Sequence, residues 1–319
     1  MGATTKDIFG QATTAGPAIP GSYGDAPSGY RLADDTRLGR VRLQIVNLAR
    51  SLAFYEDVLG LRVVERDLTH AALAAHDDDR VLVELDEVKD TRPAGRGLLG
   101  LFHFAILMPD RASLGCFVRH LAETGVRAGA GDHLVSEALY LTDPDGLGIE
   151  VYADRPRDTW RRLGRELMIS TDPLDLDSLI AAAGDTPWRG MPADTVIGHV
   201  HLHVGDLALG SAFFSEALGF DRMTWRYPGA LFLGAGGYHH HLGTNVWAGP
   251  GARSPAANDA RLLEWTIELP TRDDVAKATR SLTNAGHPVE EIAAGEALTR
   301  DPWGTAIRIR AVHEVGVSR

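Results

Sequence analysis

The sequence predicts an α+β protein made of four βαβββ modules paired into two half-barrel domains. Three observations carry that prediction. The stretch Gly198-His-Val-His-Leu-His-Val-Gly-Asp-Leu alternates imidazoles with aliphatic side chains, the period-2 pattern of a strand whose two faces differ. Gly39-Arg-Val-Arg-Leu-Gln-Ile-Val-Asn-Leu repeats its spacing, and Phe54-Tyr55 followed by Leu59-Gly60-Leu61 repeats as Phe213-Phe214 followed by Leu218-Gly219-Phe220. The segment from Leu101 to Pro109 mirrors that from Leu262 to Pro270, and Asp143-Pro-Asp-Gly mirrors Asp301-Pro-Trp-Gly, so a duplicated unit is itself duplicated.

Residues 1–38 are rich in Gly, Pro, Ala, Thr and Ser without sustained periodicity, which predicts an extended arm or a poorly ordered tail. The first module reads as a strand over 41–46, a helix over 48–59 stopped by Gly60, and strands near 62–67, 71–75 and 80–85. After a Pro/Gly loop the second repeats the order, with a strand over 102–108, a helix over about 112–124 stopped by Gly125, and strands near 126–128, 138–142 and 148–152. The turn Asp143-Pro-Asp-Gly supplies the dihedrals that a tight reversal needs. A charged connection with a short helix near 176–183 leads to the third module at Ile197 and the fourth at Leu262. In sequential terms the expected division is an arm (1–38), a first domain of modules 1 and 2 (39–153), a linker (154–196) and a second domain of modules 3 and 4 (197–312).

Composition narrows the function. A net charge of −11 argues against nucleic acid or an anionic membrane as the main partner, since phosphates must be met by a basic surface. No uncharged apolar stretch is long enough to span a bilayer. The single cysteine, Cys116, excludes an internal disulfide and is expected to be a buried, inert helical thiol, so the expected location is the cytoplasm. A small-molecule ligand fits best. His199, His201 and His203 on one strand face cannot belong to an ordinary apolar core, because every buried ring needs partners for its nitrogens. They point to a polar cavity suited to a metal.

The repeated modules, together with Leu101-Phe-His-Phe-Ala-Ile-Leu-Met-Pro-Asp, the segment Gly131 to Gly146, Tyr152-Ala-Asp-Arg-Pro-Arg, Ile197-Gly-His-Val-His-Leu-His-Val and Gly236-Gly-Tyr-His-His-His-Leu-Gly, resemble the vicinal oxygen chelate superfamily. That superfamily includes glyoxalase I, bleomycin-resistance proteins and extradiol dioxygenases, and the His-bearing segments are similar to its catechol 2,3-dioxygenase type. The resemblance implies metal ligands early in the first strand and in the last strand of each module. Here the first-strand slots hold Arg40, His103, His199 and Glu264, and the last-strand slots hold approximately Glu84, Glu150, His241 and Arg308.

Modules 1 and 2 together would offer one imidazole beside a competing cation. Modules 3 and 4 would offer His199, His241 and Glu264 beside the fixed charge of Arg308. Pairing module 2 with module 3 brings His103, Glu150 and His199 together with nothing permanently basic nearby, and two imidazoles with one carboxylate are the set that binds non-haem Fe(II) with positions left open. That set is the expectation, and His199, His241 and Glu264 are the runner-up. Any one of these histidines taken singly reads as a hydrogen-bonded structural residue.

By the same resemblance His241, His133 and Tyr140 are the expected catalytic residues around the metal, with His201 and His203 lining the cavity. Alternation through Tyr238-His-His-His places His239 and His241 on one face and His240 on the other. Asn245 and Trp247 continue this strand as candidate wall residues, with burial inside the module the expected role for Trp247. The function implied is a non-haem Fe(II) extradiol dioxygenase acting on catechol or a substituted catechol with O2, manganese being the alternative metal and a homodimer or higher homo-oligomer the family habit. The other readings are a glyoxalase-like isomerase or lyase using nickel or zinc and two carboxylates, and a non-catalytic protein that binds small aromatics.

Overall fold

Alternating aliphatic residues form the strands, and the register between those strands decides where the polar faces meet. The computed structural model describes residues 2–10 and 14–312; position 1 and positions 11–13 of the expected arm lie outside the described residues. Two eight-stranded sheets dominate, with a small three-stranded sheet beside them.

In the first large sheet the strands Gly100–Leu107 and Val196–His203 lie antiparallel at the centre. Each is flanked by its own module's last strand in parallel, Gly148–Asp154 on one side and Leu242–Asn245 on the other. The second large sheet repeats this plan around Arg37–Ile45 and Arg261–Leu269, flanked by Val81–Glu87 and Ala306–Ala311. Each sheet therefore takes one module from each half of the sequence, module 2 with 3 and module 1 with 4. The sheets do not follow the sequential grouping of 39–153 and 197–312. Each module completes its sheet with a module from the other half rather than with its sequence neighbour in the same half.

The aliphatic faces of both sheets and the module helices share one core. Val41, Leu43, Phe104, Ile106, Val200, Leu202, Trp265 and Ile267 are all buried in it. The helix Arg111–Thr124 starts at an Asp110 cap that accepts from the Ser113 N–H, and ends at Gly125 in the left-handed conformation. Cys116 is buried on this helix. The linker helix Leu176–Ala183 packs so closely against it that a Cβ on Gly115 would lie 2.3 Å from the Leu179 carbonyl oxygen.

The described part of the arm is ordered against the first sheet. Its helix Thr5–Phe9 carries a Thr4/Asp7 capping box, and Gly16–Pro17 pairs with Arg161–Leu163. Leu32 is buried, and its N–H donates to the Gly219 carbonyl. Low periodicity hid this docking, because it is made by scattered contacts rather than by a continuous apolar face.

Candidate metal centre and its cavity

Register builds the site. Tyr140, Glu150, Ala105 and His199 are partners in one row across four neighbouring strands, and His103 sits opposite His201 one step away. Two bulges set this geometry. Gly198 is the extra residue between the pairs Ile197/Ile106 and His199/Ala105, and Phe102 is the extra residue between His201/His103 and Leu202/Leu101. A Cβ on Gly198 would stand 1.9 Å from the Tyr152 hydroxyl, so only glycine fits there. The Phe102 bulge lets Phe102 and His103 both face the same cavity, which strict alternation forbids.

On that face His103 Nε2 lies 3.0 Å from Glu150 Oε2, His199 Nε2 lies 3.3 Å from the same oxygen, and the two Nε2 atoms are 3.3 Å apart. All three residues are buried. The small Ala105 between them leaves the space open. Burial alone would raise the Glu150 carboxyl, but His199 and His103 more than offset it and hold the group ionised well below the ordinary carboxylate range. Burial drives His199 down to about 4, so its ring is neutral at pH 7. Its Nδ1 is buried without a hydrogen-bond partner. One carboxylate and two imidazoles aimed at a common point form a donor set that suits a divalent cation, and the residues expected from the sequence are the ones brought together.

The cavity around this cluster measures about 920 Å³, and none of the described residues that line it is Lys or Arg. His199, His201 and His203 all line it, while Val200, Leu202 and Val204 enter the core, as the alternation predicted. His133 and Tyr140 line it as well. The His133 Nδ1 is 2.5 Å from the Ser170 carbonyl oxygen, and its Nε2 is hydrogen-bonded to the Tyr140 hydroxyl, which in turn faces Glu150. His203 Nδ1 lies 2.6 Å from the buried Asn245 Oδ1. Trp247 is half-exposed on the cavity wall, a correction to its expected place inside the module.

His241 requires a second correction. Its Nδ1 accepts the Ala235 N–H at 3.2 Å, and the ring opens on a separate cavity of about 370 Å³ beside Arg157. His240 is the residue that reaches the main cavity, with its ring centroid 4.1 Å from that of His199. Alternation failed because the strand begins only at Leu242. Residues 238–241 form a tight loop behind Gly236 and Gly237, both in the left-handed region, with φ of 58° and 69°. The Gly-Gly pair was the signal in the sequence that a turn, not a strand, precedes Leu242. Tyr227 and the arm residues Gly2 and Ala3 also wall the cavity, and the Ala3 N–H donates to the Tyr227 hydroxyl at 2.9 Å. Nothing in the arm's composition marked that role.

The equivalent slots of the second sheet hold ion pairs instead. Arg40 Nε is 2.8 Å from Glu84, and Arg308 pairs with Glu264 at 2.5 Å and also with Glu296. The runner-up set is therefore not assembled, because Glu264 lies in the other sheet, bound to Arg308, and His241 faces away. Among the described residues, His103, Glu150 and His199 are the one group of three or more donors close enough to share an ion.

This fold and these repeats define the class. A family model described as the Glyoxalase/Bleomycin resistance protein/Dioxygenase superfamily matches residues 37–151 and 196–309, and the chain belongs to that superfamily. Among relatives, it is 45% identical over 267 residues to a catechol-2,3-dioxygenase of Bacillus subtilis (strain 168), covering 81% of this chain and 91% of that protein. It is 28% identical over 250 residues to a 2,2',3-trihydroxybiphenyl dioxygenase of Sphingomonas paucimobilis, covering 76% of this chain and 74% of that protein. A Bacillus subtilis crystal structure shares the fold with a TM-score of 0.62 at 12% identity, covering 90% of this chain and 87% of the other. Among the described residues no helix is long and apolar enough to cross a membrane.

Proposed function

We propose that this chain is an extradiol ring-cleaving dioxygenase acting on catechol or an uncharged substituted catechol, with Fe(II), or alternatively manganese, held by His103, Glu150 and His199. The observation that carries this reading is the convergence of two imidazoles and one ionised carboxylate on one side of an open cavity that no Lys or Arg lines among the described residues. The similarity to a protein named catechol-2,3-dioxygenase supports it. A glyoxalase-like isomerase would use a second carboxylate, and among the described residues Glu150 is the only carboxylate that lines the cavity.

A redox-active metal held there by His103, Glu150 and His199 would supply the one-electron chemistry needed between a diol and dioxygen. The chain's own residues do the rest. Phe102, Phe232 and Trp247 line the cavity and offer an aromatic substrate apolar ring partners. A lining without Lys or Arg offers no counter-ion to a carboxylated substituent, and the volume leaves room for a neutral one. His240 is placed to accept a proton from a substrate hydroxyl, and burial holds its ring neutral, well below the usual histidine range. Tyr140 is pushed well above the usual tyrosine range by burial and by Glu150 and stays protonated, and its one O–H faces His133 Nε2, because His133 Nδ1 is turned to the Ser170 carbonyl.

The test is anaerobic loading with ferrous iron and catechol, followed by admission of oxygen. A yellow ring-cleavage absorbance is expected, dependent on His103, Glu150 and His199. No absorbance with a panel of neutral catechols, under either iron or manganese, would rule the reading out. Stoichiometric zinc or nickel with no iron dependence would turn it toward an isomerase.

A further inference from the structure

We infer that Asp154 and His239 are positioning residues that fix the tautomer of His240, leaving its Nε2 as a bare lone pair on the cavity. The inference rests on the proposed dioxygenase reading only for its catalytic consequence. The geometry is a chain of three side chains. Asp154 Oδ1 lies 2.9 Å from His239 Nε2, and His239 Nδ1 lies 2.7 Å from His240 Nδ1. His239 is fully buried, and Trp160 and Tyr238 pack against its ring.

Hydrogen counting along this chain has one solution for neutral rings. A carboxylate only accepts, so His239 Nε2 must carry its ring's hydrogen. Its Nδ1 is then a lone pair, and the contact between the two Nδ1 atoms needs a hydrogen from the other side. His240 Nδ1–H supplies it. A neutral imidazole has one N–H, so His240 Nε2 is left unprotonated where the residue meets the cavity beside His199.

The carboxylate that starts the chain comes from the strand that carries Glu150. Asp154 ends Gly148–Asp154, four residues beyond Glu150 and on the same face. The Tyr238 hydroxyl donates to Asp154 at 3.3 Å and stands 2.7 Å from the Tyr152 hydroxyl, which further restrains the carboxylate. When a substrate O–H bond breaks, its proton forms the Nε2–H bond of His240, and the electron pair stays on the substrate oxygen. The resulting imidazolium keeps its Nδ1–H on His239, whose other nitrogen is already set against the Asp154 charge. The reverse tautomer would place an N–H on the cavity and could accept nothing.

The experiment reads the tautomer directly. Long-range 1H–15N correlation on the full chain, ring-labelled at histidine, is recorded without added metal and with diamagnetic zinc, and His240 is assigned by the signals lost in His240→Gln. Nδ1 protonated and Nε2 unprotonated is the expected pattern in the wild type. Asp154→Ala should release it to a mixture containing Nε2–H, whereas Asp154→Asn, which keeps an acceptor, should largely preserve it. In turnover with iron and catechol, Asp154→Ala should lower kcat about 100-fold with KM and metal content little changed, and Asp154→Asn should recover most of the loss. An Nε2–H on His240 in the wild type, or a tautomer indifferent to Asp154→Ala, overturns the inference, and the wild-type spectrum decides even if that variant does not fold. Absence of ring cleavage alongside the expected tautomer would sink the dioxygenase reading instead, so the two failures are distinguishable.

Discussion

Replacing Glu150 by glutamine keeps the side chain's shape and removes its charge from the one place where both candidate imidazoles point. The carboxylate is buried, 3.0 Å from His103 Nε2 and 3.3 Å from His199 Nε2. Without metal, an amide there can still hydrogen-bond an imidazole, so folding stability should move by only about 1 kcal/mol in either direction. With metal the difference is larger. Loss of the sole anionic donor should weaken binding by at least about 100-fold, the upper end of what even indirect ligand partners cost. At a metal concentration about 100 times the wild-type Kd, binding adds about 2.7 kcal/mol to the wild type and about 0.4 kcal/mol to Glu150→Gln. At about 2 °C per kcal/mol for a chain of this size, the ferrous-iron shift in Tm should fall from about 5 °C to about 1 °C. Anaerobic thermal denaturation with and without iron, paired with metal analysis, checks it. A variant that keeps stoichiometric iron and the full thermal shift would refute the assignment of Glu150 as a ligand.

Two further predictions separate the sheets and test a buried turn. Arg308→Ala leaves Glu264 and Glu296 without their shared cation, so it should cost about 3 kcal/mol in urea unfolding while metal content stays unchanged; a loss of bound metal would mean that the second sheet carries part of the site. Asp143 is buried in its turn, where its Oδ1 accepts the N–H groups of Asp145 and Leu147, and burial, with Asp145 nearby, raises its pKa to about 6. The unfolded chain loses this proton near pH 4 and the folded chain keeps it to about 6, so between those values the unfolded state binds fewer protons and stability falls as pH rises. Asp143→Asn keeps the acceptor without the ionisation, and its advantage over the wild type should grow by about 1.4 kcal/mol between pH 5 and pH 8 in denaturant titrations. An advantage independent of pH would show that Asp143 is already ionised throughout.

Much of the protein was legible one element at a time. Period-2 alternation is a local property of the backbone, so the strand carrying His199, His201 and His203 and its two faces follow from the residues alone. The helix stops at Gly60 and Gly125 and the two Asp-Pro turns are equally local. The resemblance to the vicinal oxygen chelate superfamily then placed His103, Glu150 and His199 in ligand slots before any contact was known. Three things needed the tertiary structure. Which modules share a sheet depends on edges that meet across about a hundred residues in one sheet and more than two hundred in the other, and that choice decided whether Glu150 met His199 or whether Glu264 did. The bulges at Gly198 and Phe102 exist only as a mismatch between two strands, so no single strand announces them. His240 replaced His241 at the cavity because the loop behind Gly236 and Gly237 breaks the alternation before Leu242, and the arm became a cavity wall through isolated long-range contacts such as Ala3 with Tyr227. Local periodicity selects the side chains able to bind and to exchange protons, whereas register, bulges and docking, which are relations between distant segments, determine which of them share one space.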